Sequence, residues 1–304
     1  MGATTATGDR MDGTALTRAD LPPVLVVGLG LIGGSVALDL RAAGATVRGV
    51  SRSETAVRRA LEMGAVERGG TSLADEAPHA GVILVAAPVR TSIRLLSEAA
   101  ASASPGAVIT DACSSKREVV AAMDRLPPTI RAVGGHPMAG KESSGIEAAE
   151  AGLFKGATWV LSESVRTDDE ARRVGELLAE MCGAVPLWTD ATEHDEAVAA
   201  ISHLPLLTAA ALVLAAEDSG SELMWRLAAG GFRDATRLAA GDEWMGSDLL
   251  LTNSQPLSEA HARFTARLEE LAAAASGADE AALFRLLCRA AERRRSMYGW
   301  EQPR

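Results

Sequence analysis

Short β-branched and apolar runs alternate along the first part of the chain with stretches in which apolar positions recur every three or four residues. "VLVV" (24–27), "ATVRGV" (45–50), "GVILVAAP" (81–88), "AVITDA" (107–112), "RAVGG" (131–135) and "ATWVLS" (157–162) have the length and composition of strands. Between them, Ser53–Met63, Thr91–Ala99 and Lys116–Leu126 have a helical period. Such alternation predicts a parallel sheet covered by helices on both faces. The pattern changes after "AVPLW" (184–188). Asp190-Ala191-Thr192-Glu193 resembles a capping box, and the windows 190–217, 220–240, 244–252 and 256–298 read as helices with short breaks. No strand pattern returns. The chain therefore divides into a disordered tail (1–21), an α/β domain (22–188) and an all-helical domain (189–304). The helical part has more Ala and Leu than its own core can use, so a homodimer seam is expected there.

Composition narrows the partners. The 304 residues are 47% apolar and 23% charged, with a net charge of −10, which disfavours nucleic acid and anionic membranes. Val24–Leu38 and Leu204–Ala216 are too short and too rich in Gly or Ala to span a bilayer. The first twenty residues have no apolar segment of the signal-peptide kind, and "MGATTA" places Ala6 where a myristoylation signal needs Ser or Thr. Cys113, Cys182 and Cys288 are far apart and odd in number, which suits a reducing cytoplasm.

Gly28-Leu29-Gly30-Leu31-Ile32-Gly33 follows the first strand and opens a helix. Gly28 allows a tight turn, Gly30 lets the backbone approach a pyrophosphate, and Gly33 lets helix and strand pack closely. The helix N-terminus then offers N–H groups to the phosphates. This is the dinucleotide-binding signature of a Rossmann-type domain. Ala87-Pro88, after the "GVILVAAP" strand, are expected to face the same cofactor. An NAD enzyme usually has a carboxylate about twenty residues past the loop, against the ribose 2′-hydroxyl. Here the chain reads Ser51-Arg52-Ser53. A small hydroxyl leaves room for a 2′-phosphate and a guanidinium can bind it, with Arg58 and Arg59 adding positive field. NADP is favoured and NAD stays possible; the plain alternative is a solvated Arg52.

"DACSSK" (111–116) and "GGHPMAGKESSG" (134–145) each follow a strand, at the edge that faces the cofactor crevice in such sheets. His136, between Gly-Gly and Pro, is read as lying in a constrained loop, a good place for a base acting on an alcohol. His79 reads as a solvated loop residue. His194 and His203, nine apart with acidic neighbours, have nothing to complete a metal site.

"VVGLGLIGGS", "DACSSK", "GGHPMAGKESSGIEAAEAGLF", "HDEAVAAISHLP" and "GGFRDATRLAAGD" occur in this order between about 24 and 295. Together they resemble the prephenate/arogenate dehydrogenase family of tyrosine biosynthesis. The resemblance implies a nucleotide domain followed by a helical domain that dimerises. It also implies oxidative decarboxylation of a small cyclohexadienyl substrate. By the same resemblance His136 meets the substrate 4-hydroxyl and Ser114 lies beside it. Arg233 grips a substrate carboxylate, with Arg237 as a second candidate; a surface salt bridge to Asp234 or Asp242 is the alternative for Arg233.

Many members of that family read "SHLPH", whereas this chain reads Ser202-His203-Leu204-Pro205-Leu206. His203 is either a substrate-side residue or a hydrogen-bonded core residue. Together with "GVSR" after the second strand, Leu206 is similar to the cyanobacterial, NADP-linked arogenate enzymes. An imidazole missing there removes repulsion against the arogenate ammonium. Two other readings stand beside this one: a 4-amino-4-deoxyprephenate dehydrogenase of a specialised pathway, and a non-catalytic nucleotide-sensing scaffold.

Overall fold

The computed structural model describes residues 21–141 and 143–298. All but Leu21 of the tail expected over 1–21 lies outside the described residues. The chain runs β1 (Val24–Val27), α1 (Leu31–Ala42), β2 (Val47–Val50), α2 (Glu54–Glu62), β3 (Arg68–Gly70), α3 (Leu73–Glu76), β4 (Val82–Val85) and α4 (Val89–Ser102). It continues with β5 (Val108–Asp111), α5 (Arg117–Asp124), β6 (Arg131–Pro137), β7 (Thr158–Glu163), α6 (Asp169–Met181) and β8 (Val185–Trp188). The eight strands form one sheet in the order β3-β2-β1-β4-β5-β6-β7-β8.

β1 and β4 are buried along their whole length, because both faces of the sheet are covered. Val24 and Val26 point to the face packed by Leu40, Trp159 and Leu178; Leu25 and Val27 point to the face packed by Leu96 and Met123. Strand order reverses between β1 and β4, so their ends splay open a crevice at that point.

The sheet departs from the all-parallel expectation at one place: β6 and β7 are antiparallel, with His136 opposite Val160. The reason lies in the connection between them. Among its described residues there is no crossover helix, only a short turn at Ile146–Ala148 that packs on α1. Ser35 Oγ accepts from the Glu150 N–H at 3.0 Å and Asp39 Oδ1 from the Gly152 N–H at 2.7 Å. Held at that end of the sheet, the chain can only return antiparallel. His136 is accordingly part of β6, near its end, rather than in a loop.

The helical part comprises α7 (Ala191–Val198), a wide π turn (Ala199–His203), α8 (Leu204–Glu217), α9 (Glu222–Leu227) and α10 (Gly230–Thr236). A 3₁₀ turn (Arg237–Ala240) leads to α11 (Glu243–Thr252), α12 (Ser254–Ser276) and α13 (Glu280–Tyr298). Asp190 caps α7, accepting from the Thr192 and Glu193 N–H groups. The helical window 256–298 breaks at Gly277-Ala278, where Ala278 has φ +52°. The π turn joins α7 to α8 into 27 continuous residues, long and apolar enough by length and composition to cross a membrane. That corrects the expectation that the run is too short. Its first part is nevertheless tied to the sheet: Asp195 accepts from the Lys116 and Arg117 N–H groups at 2.6 and 2.9 Å. Arg90 pairs with Asp248, and Ser115 Oγ bonds Thr252 Oγ1 at 3.2 Å, so the helices sit against the strand ends of β4 and β5.

Candidate active site

The glycine loop has the shape a pyrophosphate needs. Gly28 has φ +103°, and a Cβ there would run into the Ala86 carbonyl; a Cβ on Gly33 would meet the Gly28 carbonyl. A Cβ on Gly30, by contrast, meets nothing within 4 Å, so this backbone faces open space. Gly30 begins α1 with no side-chain cap and no acidic residue follows in the first turn, which leaves N–H donors for an anion. Leu29 and Leu31 are buried, and Leu29 packs over Gly49. Leu29 and Leu31 therefore turn their side chains inward, leaving the loop backbone as the part that faces a cofactor, beside half-buried Ile32. Ala87 and Pro88 follow β4 next to this loop, and Pro88 starts α4.

Ser51 ends β2, and its hydroxyl accepts from the Ser53 N–H at 3.3 Å. The Ser53 hydroxyl caps α2 through the Ala56 N–H at 3.2 Å. Both keep a hydrogen to donate. Arg52 is exposed and makes no ion pair or hydrogen bond within the described residues, nor does Arg58; Arg59 is held by Glu62 at 3.2 Å. No carboxylate follows β2 directly. These residues fit a dinucleotide along α1 and tolerate an extra phosphate at Ser51–Ser53.

The second cluster joins the ends of β5 and β6. Asp111 accepts from the Gly135 N–H at 2.9 Å, and the buried Lys116 ammonium donates to Asp111 and, at 2.6 Å, to the Gly135 carbonyl. This knot fixes the 111–116 loop, with half-buried Ser114, beside the His136 segment. His136 Nδ1 lies 2.9 Å from Nε2 of His194, whose own Nδ1 lies 2.8 Å from Asp195 Oδ1. The two rings meet edge to face at 77°. Burial, then His194, Lys116 and His203, hold the His136 imidazole well below its ordinary pKa, so it is neutral at pH 7.

His203 has no exposed surface. Its Nδ1 accepts from the Asn253 amide at 3.0 Å, and its buried Nε2 has no partner within the described residues. Burial pushes its pKa down to about 4. The structure thus favours the core role among the two open for His203. Arg233 lies on α10, its side chain 82% exposed and 3.7 Å from Asp234. That loose contact is the surface pair weighed as an alternative, and no described contact joins Arg233 to His136. Arg237 is exposed in the next turn. His194, considered in the sequence only with His203 as an incomplete metal set, is the residue whose contact with His136 the sequence did not reveal, together with the surrounding Asp195, Lys116 and Asn253. Its signal was present in "HDEA" but needed the fold to bring residue 194 to residue 136. Among the described residues no group of His, Cys, Asp and Glu is placed to hold a metal.

Comparison with known proteins shows the family. Residues 36–187 match the prephenate dehydrogenase nucleotide-binding domain and residues 190–289 the prephenate dehydrogenase dimerization domain. A prephenate dehydrogenase of Lactococcus lactis is 35% identical over 254 residues, 82% of this chain and 70% of that protein. The crystal structure of Aquifex aeolicus prephenate dehydrogenase with hydroxyphenyl propionate and NAD+ superposes with a TM-score of 0.86 at 28% identity, covering 91% of this chain and 98% of that one. Synechocystis arogenate dehydrogenase superposes with a TM-score of 0.77 at 32% identity, covering 90% and 99%. The chain belongs to the prephenate/arogenate dehydrogenase family and is a dehydrogenase acting on prephenate or arogenate.

Proposed function

We propose that this enzyme carries out the NADP+-dependent oxidative decarboxylation of arogenate to tyrosine, with prephenate as the poorer substrate. The observation that carries the cofactor reading is the unpaired, exposed Arg52 beside Ser51, where a carboxylate would repel a 2′-phosphate. The substrate reading rests on Leu206 in the first turn of α8, one turn past His203, and on the likeness to an arogenate dehydrogenase. An apolar side chain there does not repel the arogenate ammonium.

A nicotinamide cofactor held along the glycine loop would supply the acceptor for a hydride from ring C4. Neutral His136 takes the 4-hydroxyl proton as that hydride leaves, with Ser114 donating a hydrogen bond to the same oxygen. The ring carboxylate departs as CO₂ into the resulting dienone, and aromatisation leaves a phenolate. The balance of arogenate to tyrosine, CO₂ and one hydride releases no net proton, so His136 returns its proton to the phenolate. Arg233, with Arg237 behind it, holds the side-chain carboxylate by its planar fork. The helical half places its exposed apolar face against a second copy, making a homodimer, and three unpaired cysteines suit the cytoplasm.

Steady-state rates with arogenate and prephenate, each against NADP+ and NAD+, test this reading. The highest kcat/KM is expected for arogenate with NADP+. Arg52→Ala is expected to raise KM for NADP+ by about tenfold, the loss of one charge-assisted phosphate contact, and to leave KM for NAD+ nearly unchanged. Equal effects on both cofactors remove Arg52 from phosphate binding.

A further inference from the structure

We propose that His194, backed by Asp195, is a positioning residue that fixes which ring nitrogen of His136 faces the substrate. This rests on the reading of His136 as the base. The argument is one of hydrogen counting. Asp195 receives two backbone N–H bonds at the start of α5, where Lys116 has no cap of its own. Its carboxylate is therefore a fixed acceptor, so the 2.8 Å contact to His194 Nδ1 requires the hydrogen on that nitrogen. In a neutral His194 the lone pair is then on Nε2. The 2.9 Å contact from His136 Nδ1 must in turn be a donated N–H. What remains on His136 is a bare Nε2, the lone pair a base needs. The opposite tautomer would set two lone pairs against each other across that contact.

His194 cannot be the base itself, because it is buried with only 3% of its surface exposed, whereas His136 keeps an open edge. The chain Asp195–His194–His136 also serves the second half of the reaction. Once His136 is protonated, its Nδ1–H still has an acceptor, and the acceptor is itself held by a carboxylate. The proton can wait on Nε2 until the phenolate takes it back. Lys116, His203 and Asn253 surround the same cluster, and none of their described bonds competes for His136 Nδ1.

Histidine-selective ¹⁵N labelling of the full chain with bound NADP+ tests this directly, since the sequence has five histidines. The expected spectrum shows His136 protonated at Nδ1 and bare at Nε2. His194→Met is expected to move His136 toward the Nε2–H form and to cut kcat by about 10- to 100-fold, part of what a positioned base contributes, with NADP+ affinity unchanged. In His194→Gln the amide oxygen can accept the Nδ1–H, and kcat should return to within about fivefold of the parent. A parent spectrum with hydrogen on Nε2 overturns the proposal, as does an unchanged kcat in His194→Met. If His194→Met fails to fold, the parent spectrum alone decides. That spectrum needs no substrate, so a protein that turns over neither dienol but shows the Nδ1–H form loses the substrate reading and keeps the tautomer assignment.

Discussion

A single buried imidazole shows how the site limits the conditions under which this enzyme survives. His203 is fully buried, with its Nδ1 already committed to Asn253 and its pKa pushed down to about 4. The unfolded chain binds a proton at this residue near pH 6.5, whereas the folded chain resists it until about pH 4. The contribution of His203 to stability is therefore complete above pH 6.5 and is lost as pH falls toward 4, by about 3 kcal/mol in all. His136, also held low, acts in the same direction. In His203→Asn the side-chain oxygen can still accept from Asn253, but nothing titrates. Urea unfolding of that variant is expected to show a lower free energy at pH 7, from the lost ring volume, and a shallower decline between pH 6.5 and 4. An identical slope in parent and variant would assign the acid sensitivity elsewhere.

At the level of elements, the ends of β5 and β6 are coupled through one buried ion pair. Lys116 and Asp111 have no exposed surface, and together with Gly135 they hold the strand ends that carry Ser114 and His136. Removing only the cation leaves a buried carboxylate without its partner, which costs about 3–5 kcal/mol. Lys116→Met is thus expected to lower the urea-unfolding free energy by that amount; a change within about 0.5 kcal/mol, typical of a surface substitution, would show that the pair does not brace the site. The 111–116 loop was legible in the sequence because it follows a strand with its own apolar pattern, whereas the His136 segment, read as a loop, is the end of β6 itself. β3 and β8 were not legible, since "RGG" has no apolar residue and "VPLW" carries a proline on a half-exposed edge. The antiparallel return of β7 was illegible for a different reason: it depends on where residues 146–152 lie over α1. The contact of His136 with His194 spans 58 positions and exists only once α7 has docked on α5.

For the molecule as a whole, the unsolved matter in the single chain is its apolar surface. α8 is apolar all round with Ala209 alone buried, and Leu223, Leu227, Trp244 and Phe284 are exposed elsewhere in the helical half. A groove of about 630 Å³ lined by Leu223, Met224, Trp225, Leu227 and Phe232 opens beside Arg233. An exposed patch of this kind on a chain with net charge −10 calls for a cover, and residues 190–289 match a dimerization domain. Covering a large side chain such as Leu227 contributes about 1.5–3 kcal/mol, and a stable pair hides about 800 Å² on each partner. A carboxylate placed at Leu227 meets its own symmetry mate or an apolar wall, and either is unfavourable. Sedimentation of the parent at micromolar concentration is expected to give the mass of a dimer, and Leu227→Glu that of a monomer. Because Phe232 in the groove wall precedes Arg233, proposed above to hold the substrate carboxylate, the monomer should also bind substrate more weakly while its affinity for the nicotinamide cofactor holds. A parent that sediments as a monomer with full activity would show that the apolar face serves something other than a second copy.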